Sequence, residues 1–180
     1  MESTDLQRFE ERLMEDLLRA CKSEGFDGRL LQSDDIDDYW QTIIEKYVAD
    51  AVMEVVSYPL VSVAWAAYLG MAVAYCWDLD WATYSTTPYE QFYGTEGFDN
   101  MDDHIVHDIL NQPADSDEAR RTVAIVQNLA RHTVSFIRHA DIEPQSKLAY
   151  QAFVSATTIM FRIGASIQLH RLGYKMEKLQ

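Results

Sequence analysis

Glycine, proline and cysteine are scarce in this sequence, and over a long central stretch so is basic charge. Seven glycines and four prolines occur among 180 residues. That excludes a collagen-like chain, and no Gly/Ser-rich linker or low-complexity tract is present. Pro59, Pro88, Pro113 and Pro144 each fall where a helix would begin or end. Two cysteines, Cys21 and Cys76, are too few for a disulfide scaffold. Both lie beside apolar residues in helical patterns, which predicts reduced core thiols, with a single bridge as the alternative. No G-x-S-x-G elbow, P-loop or C-x-x-C occurs, so nucleophilic catalysis has little support.

Between residues 39 and 118 one base, Lys46, stands against 14 acids. Residues 1–38 hold 12 acids and five bases, whereas residues 119–180 hold three acids and nine bases. The net charge of −14 opposes nonspecific nucleic-acid binding, which needs bases to neutralise phosphates. The asymmetry fits internal complementarity, with basic C-terminal helices packed near acidic ones. An anion site built by the C-terminal third is the sharper alternative.

Apolar residues, by contrast, are plentiful at 48%. A chain of this length can bury roughly 70% of the surface its unfolded form exposes, so it needs no staples. Apolar spacing is three to four throughout, with no period-two strand and no internal repeat. The expectation is a single all-helical domain over residues 1–180: an antiparallel bundle of five main helices plus one short helix. The opening MESTDLQRFEERL lacks the basic and apolar regions of a signal peptide, so a cytoplasmic location is expected.

Residues 55–77 carry no formal charge and are long enough to span a bilayer, which takes about 20 residues. Pro59 interrupts the run, alanine dominates it, and its flanks Glu54 and Asp78 are acidic. These features favour a buried helix at about 59–81 in the centre of the bundle, and no membrane span. Ala66, Gly70 and Ala74 would let another helix approach closely.

The remaining helices follow from spacing and end signals. The first covers about 5–23, with Thr4 and Gln7 spaced as a capping box and Gly25 and Gly28 as its stop. The second starts after Ser33 or Asp34, with Ile36, Trp40, Ile43, Tyr47, Ala51 and Val55 on its apolar face. Thr87-Pro88-Tyr89-Glu90 suggests a short helix to Tyr93 within an aromatic tract that also holds Tyr84, Phe92 and Phe98. That tract packs over the core or forms a lid. The fourth main helix covers about 101–111. The fifth covers about 117–140, with Asp115 and Glu118 as its capping box. The sixth runs from Pro144 to near Gly173.

Three constellations could carry chemistry. In DDHIVHDIL, residues 102–110, helical spacing places His104, His107 and Asp108 together, a ligand set for zinc or another divalent metal. The same residues also suit an ordinary solvated face. The His107-Asp108 doublet resembles that of HD-type phosphohydrolases, but no histidine precedes His104, and the match is set aside. Glu10, Glu11, Glu15 and Asp16 resemble the carboxylates of all-α nucleotide pyrophosphohydrolases, but the third glutamate is displaced by one residue. A solvated acidic face is expected there.

The second constellation lies on the last two helices. His132 and His139 share the stripe Ile125, Leu129, His132, Phe136, His139, which faces inward by pattern. On the sixth helix Gln151, Ser155, Thr158, Arg162 and Ser166 form a narrow polar stripe. It is either the outer face of a peripheral helix or an internal seam whose arginine must be paired. The third constellation is WDLDW, residues 77–81. On a regular helix Asp78 and Asp80 are about 200° apart and cannot hold one ion together. Asp78 is expected to face inward and pair with Arg162 or a histidine of the fifth helix, while Asp80 marks the exit of the buried helix. Asp78, Asp80, His132 and Arg162 thus form a candidate ligand pocket.

The function expected is a small acidic cytoplasmic binding or regulatory module, joined to a protein partner or to itself, without a cofactor. The alternative is a metal-dependent hydrolase using His104, His107 and Asp108, or a protein that binds an anionic small molecule around Arg162.

Overall fold

The computed structural model describes residues 2–26, 30, 31, 33–57, 59–92, 94 and 100–173, with residues 2–3 and 52–57 as backbone only. The side chains of Glu54 and Val55, and residues Gly28, Tyr58, Tyr93 and Phe98, lie outside this description.

Among the described residues the chain forms an all-α bundle of six helices. They are α1 (Glu2–Ser23), α2 (Asp34–Ser57), α3 (Pro59–Tyr84), α4 (Met101–Asp103, continued as a π-helical turn His104–Ile109), α5 (Asp117–His139) and α6 (Lys147–Arg171). Where the short helix is expected, a 3-10 turn forms over Tyr89–Gln91.

Helix ends obey local chemistry, and some differ from the spacing rules. Gly25, at φ +95°, closes α1, and the Phe26 amide donates back to the Cys21 carbonyl. α1 starts at Glu2, so Thr4 lies inside it, and Gln7 donates instead to Glu11. Ser116 rather than Asp115 caps α5, accepting from the Ala119 amide at 3.1 Å. Likewise Ser146 caps α6 through Ala149 at 3.0 Å, which moves its start from Pro144 to Lys147. A serine hydroxyl aimed at the third amide outweighs the proline's preference for a first turn.

Neighbours in sequence run in opposite directions. Tyr39 meets Trp77 and Tyr47 donates to the Ser62 carbonyl, so α2 opposes α3. Arg162 meets Asp37 and Trp40 meets Thr158, so α2 also opposes α6. α3 and α6 therefore run in the same sense, and theirs is the most extensive interface between helices. The core thus has two central helices, where the sequence pattern indicated one. From Ser62 to Cys76 α3 is buried almost without interruption, and from Ser155 to Leu169 so is most of α6.

The two helices meet backbone to backbone. A Cβ built on Gly70 would lie 2.1 Å from the Phe161 carbonyl oxygen, and one on Gly164 would lie 2.0 Å from that of Ala67. This is the close approach that the Ala66, Gly70, Ala74 spacing anticipates. Amphipathic α1, α2 and α5 cover the pair with Leu13, Leu17, Trp40, Tyr47, Val126 and Leu129. Trp40 stacks on Phe161 with ring centroids 4.5 Å apart. Both cysteines are buried and free, and burial pushes each thiol up to about 11.

Candidate functional site

α4 does not continue as a regular α-helix. From His104 to Ile109 it widens into a π-helical turn, and the Leu110 amide donates to the Ile105 carbonyl at 2.8 Å. Such turns are uncommon and recur at functional sites. The wider turn sorts the predicted ligand cluster into two pairs. His104 Nδ1 lies 2.9 Å from Asp108 Oδ2. His107 turns away: its Nδ1 is 2.9 Å from the Gln112 carbonyl oxygen and its Nε2 is 3.5 Å from Asp103. A carbonyl only accepts, so the Nδ1 of His107 is its donor nitrogen. Both ring nitrogens of His107 are thus engaged locally. Among the described residues no three His, Cys, Asp or Glu side chains gather in a way that could hold a metal ion.

The His104 ring is fixed from behind. Gly94, at φ +82°, packs so closely that a Cβ there would lie 2.9 Å from the ring's Cγ. With Nδ1 donating to Asp108, the free lone pair of neutral His104 is on Nε2. His104 and the largely exposed Asp108 form one side of an open cleft of about 460 Å³. Its other walls are the last turns of α3 and the 3-10 segment, including Tyr75, Cys76, Tyr84 and Phe92. The 3-10 segment is pinned to α2. Tyr39 donates to the Thr87 carbonyl at 2.6 Å, Tyr89 donates to Asp50, and Lys46 pairs with Glu90. This part of the aromatic tract therefore lies on the core.

The four residues expected to share a polar pocket occupy separate places. Arg162 Nε bonds Asp37 Oδ1 at 3.1 Å, with neither side chain fully buried. Burial raises the Asp37 carboxyl above its ordinary value, and Arg162 opposes that rise. The polar stripe of α6 is an internal seam: Ser155 donates to Glu10, Thr158 accepts from Trp40, and Ser166 accepts from the Leu31 amide. The partner of Arg162 is thus Asp37 of α2, rather than an acid of WDLDW. An open groove of about 680 Å³ lies beside it, lined also by Glu10, Glu11 and Glu15. Those three glutamates favour a cation over an anion there.

His132 bonds Asp16 of α1, with Nδ1 and Oδ2 3.0 Å apart, at the edge of the bundle. His139 is exposed, and its Nδ1 donates to the Ser135 carbonyl at 2.7 Å. Of the expected inward stripe, Ile125 and Leu129 are buried and Phe136 packs on the core, while the buried face continues through Thr122, Val126 and Thr133 rather than the histidines.

In WDLDW, Asp78 is exposed, and α3 breaks at Asp80 with φ −159° and ψ 88°. Asp80 caps the short turn that follows, accepting from the Thr83 hydroxyl at 2.6 Å and the Thr83 amide at 3.2 Å. These bonds hold its carboxyl below the usual range. Trp77 is tied back, its indole N–H donating to the Tyr84 carbonyl at 3.1 Å. The break turns Leu79 and Trp81 outward, at 66% and 57% exposure. Spacing alone missed this apolar pair. The signal that could have found it is the alternation of acid and apolar residues directly after a buried run.

No family model, curated protein or solved structure matches this chain.

Proposed function

We propose that this chain is a non-catalytic binding module that docks a basic protein partner on the exposed pair Leu79 and Trp81. One observation carries the proposal. The most apolar helix of the molecule breaks at Asp80 and presents two large hydrophobic side chains to water, flanked by the exposed carboxylates of Asp78 and Asp80. Exposed apolar anchors, tryptophan above all, carry much of the energy of protein interfaces. The acidic flanks select a basic surface and steer its approach. A second copy is the weaker occupant. It would meet this acidic patch with its basic C-terminal third, which makes a head-to-tail contact that propagates instead of closing.

The proposal places the protein in the cytoplasm, away from nucleic acid and membranes. α3 and α6 are long and apolar enough to cross a membrane by length and composition, yet 72% of each apolar window is buried inside the fold. Burial of both helices against each other and beneath amphipathic neighbours supports a core role for them. Charge supports the exclusion of nucleic acid.

A photo-reactive residue at position 79 or 81, activated in source cells, tests the docking. The expected product is a discrete cross-link to a basic protein, with a yield that falls as salt rises. Cross-links only to a second copy, or none, would refute it.

A further inference from the structure

We infer that the cavity walled by His104 and Asp108 is a small-molecule site for a flat aromatic cation, an amidine or a protonated aromatic amine. It adjoins the docking pair and shares Leu79 with it, but its chemistry lies at His104 and Asp108. At about 460 Å³ its size falls within the usual range of ligand pockets, roughly 300–1,000 Å³.

Two separate features converge on one imidazole: its pairing with Asp108 and its contact with Gly94. The π-helical turn His104–Ile109 places His104 and Asp108 in contact on the cavity wall. The carboxylate of Asp108 fixes the ring's tautomer, so that Nε2 is the acceptor. Gly94 lies so close to the ring that any Cβ in its place, 2.9 Å from Cγ, would force the imidazole to shift. A histidine serving only as surface cover needs none of these constraints. Their joint effect is to hold one hydrogen-bond acceptor still beside a cavity, which is how polar groups in ligand sites confer specificity.

The lining also sets the charge of the ligand. Among the described lining residues there is no lysine or arginine. Asp108 supplies a negative charge, and Gln91 and Asn111 supply amides that can accept as well as donate. Tyr75, Tyr84 and Phe92 supply ring surface, whose faces attract cations. Asp108, the one formal charge among these lining residues, repels a carboxylate or phosphate, so charge favours a cation over an anion. A planar cation would donate N–H to His104, lie near the Asp108 charge and contact the rings.

Benzamidinium is a suitable probe, with benzoate and benzyl alcohol as anionic and neutral ligands of similar size. The 180-residue chain is titrated while the imidazole ¹⁵N resonances of His104 are followed by NMR. Saturable movement of those resonances by benzamidinium, with weaker or no response to the other two, is the expected result. Asp108→Asn should weaken benzamidinium by about tenfold or more, the cost of one charged contact. His104→Gln should also weaken it, and circular dichroism should show both variants still helical. Binding of benzoate as tight as that of benzamidinium would overturn the assignment. So would saturation that leaves His104 unmoved, unchanged affinity in Asp108→Asn, or no binding at concentrations of about 10 mM, where even weak ligands register. None of these outcomes depends on whether a protein docks at Leu79 and Trp81.

Discussion

Asp37 and Asp80 are two carboxylates on one chain whose acid responses have opposite sign. Burial raises Asp37 above its ordinary 3.8 despite Arg162, so the folded state holds that proton more tightly than the unfolded chain. Its contribution to stability is complete below the unfolded value and is lost as pH rises through the folded one. For Asp80 the bonds from Thr83 lower the folded value. Its contribution is present above the unfolded value and is lost as pH falls through the folded one. Urea midpoints measured between about pH 6 and about pH 3 should separate the two. As pH falls, wild type should gain on Asp37→Asn and lose ground to Asp80→Asn. Parallel curves for the two variants would show that neither environment perturbs its carboxyl. The polar stripe through Arg162 was legible as spacing on α6, and so was its need for a partner. That the partner is Asp37 was not legible, because a pairing 125 residues apart depends on which faces α2 and α6 present to each other.

At the scale of the element, the crossing of α3 and α6 is the most constrained contact. Overpacking a well-filled core costs about 1–3 kcal/mol when side chains can adjust. At Gly70 and Gly164 the obstacle is a backbone carbonyl, which has no rotamer to change. Gly164→Ala should therefore cost at least the upper part of that range by urea denaturation, with Gly70→Ala close behind. Small-residue spacing on α3 revealed that some helix comes close there. It did not reveal that the helix is α6, whose Gly164 sits among residues that pattern alone reads as ordinary apolar surface. The capping serines lend themselves to a gentler test. Ser116→Ala and Ser146→Ala should each cost about 1 kcal/mol, the usual loss of a helix N-cap, read as a lower thermal midpoint. The spacing rule placed the α5 cap one residue early and the α6 start three residues early, because acids and prolines near a helix start imitate the signals that serine carries. The π-helical turn of α4 was not legible at all, since its hydrogen bonds shift by one residue without changing the apolar pattern of Ile105, Val106 and Leu110.

Across the whole molecule, charge is divided by region as well as out of balance. The acids of residues 1–118 outnumber their bases, and the excess of bases lies after residue 118. Folding brings parts of these regions into contact, through Asp37 with Arg162 and Asp16 with His132. Such local attraction competes with the self-repulsion of a chain at net −14, which destabilises any compact state. Salt distinguishes the two. The screening length falls from about 30 Å at 0.01 M to about 3 Å at 1 M, and half-buried pairs are screened less than surface charges far apart. The cross-helix pairs are short and half-buried, whereas the excess acids are spread over exposed surface. Repulsion should therefore be relieved before attraction is lost. The thermal midpoint should rise as sodium chloride increases from about 0.01 M to about 0.5 M, where the screening length is shorter than the bundle is wide. A falling midpoint would mean that pairing between the acidic and basic regions outweighs their imbalance. The basic third would then be an internal counterweight to the acidic regions, and the acidic patch around Leu79 and Trp81 would lose much of its pull on a basic partner.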